Sequence, residues 1–157
     1  AIVGSEIDDP DLTKLIEGCG ALVVSDRFCF GSTPGREVIE LKDDEDALRQ
    51  ICLHVMEHSE CARYIADEKV LQRRETADRL AKEYKAEGII YEQMKYCDYW
   101  GFERALASHI MHDEYGWPVL SIDRLYNNGN SGQLRTRVQA FVESLEIKRI
   151  HKEEGKA

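Results

Sequence analysis

A single cysteine stands where an apolar run gives way to an amphipathic segment, in the sequence Tyr91-Glu92-Gln93-Met94-Lys95-Tyr96-Cys97-Asp98-Tyr99-Trp100. In an open parallel α/β sheet, ligands collect outside the carboxyl ends of the strands, so Cys97 occupies a position where chemistry is done. A thiol there is either inert or functional, and the residues alone do not decide between the two. Cys97 is nevertheless the first candidate for function.

The other four cysteines are weaker candidates. The five are an odd number without a C-x-x-C pair, which suggests neither a disulfide framework nor a zinc finger and fits a reducing compartment. Cys52 shares an apolar helical stripe with Leu48 and Val55, so we predict that it lies in the core. Cys19 closes a helix and is predicted to be structural. Cys29 and Cys61 lie in predicted loops or element boundaries, and we favour a structural role for Cys29.

The elements that must position these cysteines alternate regularly between strand and helix. Strands are predicted over residues 1–4, 21–25, 88–94 and 119–122. Helices are predicted after Asp9, over residues 44–58, 67–86 and 100–114, and from Asn130 or Ser131 onward. This alternation predicts an α/β fold with an open, mostly parallel sheet and helices on both faces, flavodoxin-like in type.

The loops that follow the strands all emerge on one edge of such a sheet. They comprise residues 5–9, 26–36, 95–100 and 123–132, so Cys29 and Cys97 share a rim. The glycine-rich stretch Asn127-Asn128-Gly129-Asn130-Ser131-Gly132 leads into a helix, whose N–H groups can bind an anion or a sulfide. Ser131, Gly132 and Gln133 are therefore candidate cofactor-binding residues. The alternative is that these loops only connect elements and that Ser131 and Gln133 only cap the helix.

Composition limits the classes of function. The chain has 157 residues, enough for one domain, which we place at residues 1–150 with a charged tail at 151–157. A formal net charge of −9 argues against unspecific binding of nucleic acid. No apolar run approaches the roughly 20 residues of a membrane span, and the start lacks a secretory leader pattern, which predicts a cytoplasmic protein without membrane contact. Basic residues between Lys69 and Lys85 form an island, which is more typical of a solvated helix face than of a binding surface.

Three motifs, in order along most of the chain, resemble the benzoyl-CoA reductase and 2-hydroxyacyl-CoA dehydratase family. They are the Cys97 segment quoted above, Asp26-Arg27-Phe28-Cys29-Phe30-Gly31-Ser32, and Gly132-Gln133-Leu134-Arg135-Thr136-Arg137-Val138-Gln139-Ala140-Phe141. Tyr-Glu-Gln-Met before the cysteine and Asp-Tyr-Trp after it are closer to the reductases, since the dehydratases more often have Cys-Asp-Pro there.

The resemblance implies that Cys97 is a thiolate ligand of a four-iron four-sulfur cluster. It also implies that the other ligands lie in a preceding domain and that this chain is the carboxyl-terminal half of a longer subunit. The implied partners are an acyl-CoA substrate, a homologous sister subunit and ATP-hydrolysing activator subunits. The implied chemistry is low-potential electron transfer to the acyl-CoA thioester. The chain has no G-x-x-x-x-G-K-[ST] phosphate loop, which agrees with an ATPase on separate subunits.

The resemblance leaves several assignments open. Lys95 and Arg135 are expected to add positive charge near an anionic cluster, or simply to be solvated, and His109 is expected on the buried side of its helix. A subunit of a 2-hydroxyacyl-CoA dehydratase is the nearest alternative to an oxidoreductase subunit of benzoyl-CoA reductase type. A flavin-binding flavodoxin-like domain and a non-catalytic scaffold are the other two hypotheses.

Overall fold

The computed structural model describes residues 1–5, 8–29, 31–126 and 131–155. Four strands alternate with five α-helices within these residues. In chain order the elements are β1 (Ile2–Gly4), α1 (Asp11–Glu17), β2 (Asp26–Arg27), a 3-10 turn (Thr33–Gly35), α2 (Ala47–His58), α3 (Asp67–Glu83), β3 (Ile89–Met94), α4 (Asp98–Asp113), β4 (Val119–Arg124) and α5 (Ser131–Glu153).

The described strands form one sheet in the order β2-β1-β3-β4, and every neighbouring pair is parallel. Ile2 pairs with Ile90 at the centre of the sheet, and Ile90 pairs with Leu120. The chain moves outward from β1 to β2 and then returns to place β3 on the other side of β1. A change of direction of this kind opens a crevice at the carboxyl ends of β1 and β3, as in flavodoxin-like sheets. The predicted α/β fold is confirmed.

Side chains that alternate along the strands build a separate apolar core on each face of the sheet. One face buries Ile2, Ile90 and Ile122 against α1 and α5. The other face buries Val3 and Tyr91 against α3 and α4. Helices therefore cover both faces, as the alternating pattern of elements predicts.

The contact between β1 and β3 is close enough to require glycine at position 4. A Cβ atom on Gly4 would clash with the backbone carbonyl oxygen of Glu92. Ser5, the next residue, donates its Oγ hydrogen to the Glu92 carboxylate at 2.8 Å. Gly4 therefore allows the buried polar contacts at the end of the sheet to form.

The predicted strand over residues 21–25 is wrong. These residues have no regular structure, and β2 is formed instead by Asp26–Arg27, which were predicted to begin a loop. The ladder starts late because β1 is only three residues long: the Ser25 carbonyl accepts a hydrogen bond from the Ile2 N–H, and the pairing of Ile2 with Asp26 follows.

The predicted burial of the stripe on α2 is also wrong. None of the α2 residues is buried, Leu48 and Val55 are 68% and 58% exposed, and Cys52 is exposed. Two helices follow one another between β2 and β3, and α3 occupies the sheet face through Ala77 and Ala81. α2 is therefore left outside the core.

α4 buries a different face from the one on which His109 was expected. His109 is 79% exposed and its Nε2 lies 3.0 Å from Asp113 Oδ2, so it is not a core histidine. The residues that α4 does bury are Trp100, Glu103, Ala107 and Met111, which recur at the spacing of one helical face. A buried ion pair of Glu103, described below, fixes this rotation of the helix.

The carboxyl-terminal helix packs on the sheet through one apolar face. Val138 and Val142 are buried against the α1 side of the sheet. Ser131 begins α5, whereas the alternative cap Asn130 lies outside the described residues. α5 continues to Glu153 and so includes the start of the predicted tail. None of the helices in the described ranges is both long and apolar enough to cross a membrane.

Candidate functional site

Cys97 lies beside the crevice at the carboxyl ends of β1 and β3. It is the residue before α4, and its side chain makes no capping hydrogen bond. Its N–H donates to the Met94 carbonyl at 3.0 Å, and its carbonyl accepts from the Gly101 N–H at 2.9 Å and from Gln93 Nε2 at 3.2 Å. The half-buried thiol is therefore held on a fixed backbone at the amino end of a 16-residue helix.

The residue before Cys97 has a strained backbone. Tyr96 has a φ of 75°, in the left-handed region that favours glycine, although its side chain is 90% exposed. Such a conformation costs about 1–2 kcal/mol for a residue with a Cβ atom. It allows the chain to turn from β3 into α4 within three residues, and backbone strain of this kind is concentrated at functional sites.

Cys29 and Cys61 lie near Cys97. The Nε1–H of Trp100, in the first turn of α4, donates to Cys29 Sγ at 3.3 Å. Burial by the surrounding protein raises the pKa of the Cys29 thiol. The hydrogen bond from Trp100 lowers this pKa, whereas negative charge on the neighbouring Cys61 and Cys97 raises it. The structure thus supports the prediction that Cys29 and Cys97 share a rim, and it adds Cys61, which precedes α3. The role of each cysteine stays a prediction.

A buried polar network at this end of the sheet could not be inferred from the sequence. Glu92 is fully buried; Ser5 Oγ donates to its Oε2 at 2.8 Å, and Arg124 Nε donates to its Oε1 at 3.2 Å. Arg124 Nη2 also donates to Asp9 Oδ2 at 2.9 Å. The network joins residues that follow β1 to β3 and β4. The signal in the sequence is a glutamate within an apolar run.

The two acids of this network have opposite pKa shifts. Burial raises the pKa of Glu92 and outweighs the hydrogen bonds from Ser5 and Arg124, which act in the other direction. Burial also raises the pKa of Asp9, but there the hydrogen bond and charge of Arg124 win, and the pKa is lowered. Glu92 is therefore a carboxyl group that holds a proton more readily than an ordinary glutamate, beside the crevice.

The basic island of α3 is internally neutralised. Arg73 is buried and its Nη2 lies 2.8 Å from Glu103 Oε2, while Arg74 Nε lies 3.2 Å from Glu103 Oε1. Further along the helix, Lys82 pairs with Asp78 at 2.8 Å. The prediction of a solvated helix face is therefore wrong for Arg73 and Arg74, which are covered in ion pairs with Glu103, and holds for Lys82, which is exposed.

The other predicted site residues are placed as follows. Gly132 and Gln133 are exposed in the first turn of α5, whose first residue is Ser131. Lys95 lies on the same rim as Cys97 and pairs with Asp123 at 3.6 Å. Arg135 donates to the carbonyl of Gly18 at the carboxyl end of α1. The binding role of Ser131, Gly132 and Gln133 stays a prediction.

Comparison with known proteins places this chain in a family. The family described as "2-hydroxyglutaryl-CoA dehydratase, D-component" matches residues 1–145. The "Putative dehydratase subunit YjiM" of Escherichia coli (strain K12) is 26% identical over 135 residues, which are 85% of this chain and 33% of that protein. The chain thus spans about a third of the length of this curated relative. Because the family match extends over most of the chain, this protein belongs to the 2-hydroxyglutaryl-CoA dehydratase D-component family.

Proposed function

We propose that this chain is part of a subunit of a 2-hydroxyacyl-CoA dehydratase-type enzyme and that Cys97 is a ligand of its four-iron four-sulfur cluster. The observation that carries the proposal is the position of Cys97, beside the crevice of the sheet in a chain that matches the family over residues 1–145. The relative from Escherichia coli is described as a dehydratase subunit, which agrees with this assignment.

The surroundings of Cys97 suit an iron-sulfur cluster. Thiolates are the usual ligands of these clusters, and burial and hydrogen bonds then tune the potential. Cys97 is half-buried against an apolar core, and the amino end of α4 directs its dipole toward negative charge at this position. Cys97 supplies one ligand. Cys29 and Cys61 are further thiols in its neighbourhood.

The cluster would supply one electron at low potential to the carbonyl of an acyl-CoA thioester. The residues of this chain would hold the cluster, through Cys97, and shape the crevice next to it. Glu92, buried with a raised pKa, is suited to hold a proton there. We further propose that the complete enzyme contains a homologous sister subunit and receives electrons from ATP-hydrolysing activator subunits.

A benzoyl-CoA reductase subunit is the second candidate. It is favoured by the residues that flank Cys97, namely Tyr91-Glu92-Gln93-Met94 before it and Asp98-Tyr99-Trp100 after it. Three residues of this segment are buried in the structure: Tyr91 and Glu92 in β3, and Trp100 in the first turn of α4. The dehydratase assignment is favoured by the family match and by the described relative.

The cluster assignment is tested by cysteine substitution. The full-length subunit with its partner is purified without oxygen, and iron, acid-labile sulfide and the reduced electron paramagnetic resonance spectrum are measured. We expect Cys97→Ser to lose or alter the cluster. Cys52→Ser is the matched control, because Cys52 is exposed on α2 and is expected to leave iron content and spectrum unchanged. An unchanged cluster in Cys97→Ser would leave this domain with a scaffold role.

The substrate class is tested separately. The same preparation, with its activator, is assayed with 2-hydroxyacyl-CoA thioesters and with benzoyl-CoA. Loss of water from the hydroxyacyl group supports the dehydratase assignment, whereas reduction of the aromatic ring supports the second candidate. A protein that retains its cluster but converts neither class would contradict both assignments of substrate while leaving the role of Cys97 intact.

A further inference from the structure

Two histidines and a glutamate converge in the wall of a cleft that Cys29 and Cys61 also line. His54 and His58 are one turn apart on α2, and their rings stack with centroids 4.1 Å apart at an angle of 22°. The Nε2 atoms of His54 and His58 lie 3.8 Å and 3.6 Å from Oε2 of Glu37. The three ligand atoms lie within 4.8 Å of one another, and among the residues that the structure describes no other group of three histidine, cysteine or acidic side chains does so.

The hydrogen bonding of His58 prepares it to bind a metal. Its Nδ1 lies 2.9 Å from the carbonyl oxygen of His54. A carbonyl oxygen can only accept, so Nδ1 donates this hydrogen bond and Nε2 is the ring nitrogen that faces Glu37. Metal-ligating histidines are usually oriented in this way, by donating the other ring N–H to a carbonyl or carboxylate.

The spacing of the two histidines brings both rings to one face of α2. They are four residues apart, so their side chains are neighbours on the helix surface, and both Nε2 atoms lie within 4 Å of the same carboxylate oxygen of Glu37.

The distances fit a divalent transition metal after a small closure. Bonds of zinc to histidine nitrogen and carboxylate oxygen are about 2.0–2.2 Å, which places the ligand atoms of a tetrahedral site about 3.4 Å apart. The separations of 3.6 Å and 3.8 Å between the histidine nitrogens and the glutamate oxygen exceed this value by a few tenths of an ångström, and the two histidine ligand atoms lie within 4.8 Å of each other, so they would have to move closer together. The side chains are 23%, 48% and 60% exposed for His54, His58 and Glu37, which leaves a fourth position open to water.

The charges of the cleft do not oppose a cation. The cleft has a volume of about 940 Å³, and its lining includes three arginines, Arg27, Arg36 and Arg79. Arg27 pairs with Glu60 at 2.8 Å, Arg79 pairs with Glu83 at 3.4 Å, and Arg36 donates to the Asp26 carbonyl and to Ser32 Oγ. The lining also holds four carboxylates, Asp26, Glu37, Glu60 and Glu83, so the acidic groups outnumber the arginines.

We propose that Glu37, His54 and His58 form a binding site for a divalent transition-metal cation of the zinc class. Its structural effect would be to tie α2, which buries none of its residues, to the irregular segment that carries Glu37. This site goes beyond the proposed function, because Cys97 is not among its ligands, although Cys29 and Cys61 line the same cleft.

Cobalt(II) is the probe for this site because its spectrum reports the ligand type. The protein that carries this chain, without a histidine tag, is titrated with Co²⁺, and difference spectra and calorimetry are recorded. We expect one equivalent to bind with visible d–d bands and without a thiolate charge-transfer band. His54→Ala, His58→Ala and the isosteric Glu37→Gln should each weaken binding by at least about tenfold. The exposed His151→Ala is the matched control and should bind as the unmodified protein does.

Hydrogen exchange of the α2 amides gives a second measurement, because metal bound at another place on the surface would not slow it. Zn²⁺ should slow amide exchange across Ala47–His58 in the unmodified protein and in His151→Ala, but not in His54→Ala. Circular dichroism checks that each variant is folded. Co²⁺ binding that is unaffected by the three substitutions would overturn the proposal. So would a thiolate band that disappears in Cys61→Ser, or an absence of binding.

Discussion

The indole N–H of Trp100 donates a hydrogen bond to the sulfur of Cys29, and the two heavy atoms are 3.3 Å apart. The bond connects the first turn of α4 to the loop that follows β2. The guanidinium of Arg27 lies over the same indole ring, 5.4 Å from its centroid. The position of α4, and with it that of Cys97, is therefore coupled to the loop that carries Cys29.

Replacing Trp100 with phenylalanine tests this coupling. The hydrogen bond from Trp100 lowers the pKa of the Cys29 thiol against the dominant effect of burial, so its removal should raise that pKa further. We expect slower alkylation of Cys29 at neutral pH, measured by mass spectrometry of the Cys29 peptide, and a loss of about 1 kcal/mol in the free energy of unfolding. Trp117→Phe removes a hydrogen bond to Asp78 instead and should leave Cys29 alkylation unchanged. Equal rates in both variants would contradict the coupling.

Glu103 balances two arginines where α3 meets α4. It is 6% exposed and its carboxylate contacts both Arg73 and Arg74. Glu103→Ala would leave the buried Arg73 without its counter-ion, and we expect a loss of about 3–5 kcal/mol in the free energy of unfolding, measured with urea. Glu83→Ala removes an exposed partner of Arg79 and should cost at most about 1 kcal/mol. Similar costs for the two variants would show that the buried pair is not important for stability.

The raised pKa of Glu92 gives a pH dependence with a defined sign. Because its folded-state pKa lies above the ordinary glutamate value, its contribution to stability is fully present below that ordinary value and is lost as pH rises through the folded-state pKa. Glu92→Gln stays neutral at every pH. We therefore expect the stability advantage of the unmodified protein over Glu92→Gln to be largest in acid and to shrink as pH rises.

Urea unfolding over a pH series measures this difference. Glu83→Gln, at an exposed position, controls for the general effect of acid on the protein. An advantage that instead grows with pH would mean that the folded state favours the charged carboxylate.

The left-handed backbone of Tyr96 predicts a substitution that does not destabilise the protein. Glycine adopts this conformation without a steric penalty, so Tyr96→Gly should be neutral or should raise the free energy of unfolding by up to about 1 kcal/mol. Tyr99→Gly is the matched control, since Tyr99 is within α4 and glycine there should cost about 1 kcal/mol. The two variants are compared by thermal and urea unfolding, and a clear loss in Tyr96→Gly would show that its side chain has a stabilising role.

The sequence predicted the fold where local pattern and long-range packing agree. β3 is a short run that is buried from Ile89 to Glu92, α5 carries apolar residues such as Val138 and Val142 at helical spacing, and the bounds of β3 and the start of α5 were predicted to within one residue. β2 was misplaced because its extent depends on pairing with a short β1 that lies far away in the sequence. The stripe on α2 was a real periodicity, but periodicity does not show whether another element covers the helix.

The site could be predicted only in part. The position of Cys97 at the edge of the sheet was predicted because the end of a strand in an α/β pattern defines a position without knowledge of side-chain contacts, and its role stays a prediction. The network of Glu92 with Ser5 and Arg124 depends on which strands are neighbours, and the group of Glu37 with the two histidines depends on how an irregular segment folds back on α2. Neither relationship has a fixed spacing along the chain, so a pattern of residues could not reveal it.

The order of the strands also has a consequence for how the chain assembles. β3 and β4 are joined by one crossover through α4, whereas β1 must find β3 across a long intervening segment: the hydrogen bond of Ser5 with Glu92 joins residues 87 positions apart. Closing a longer loop costs more entropy before any contact compensates for it. We therefore expect β3, α4 and β4 to form an early folding nucleus and β1 to dock late, so that the crevice beside Cys97 is completed in one of the last steps of folding.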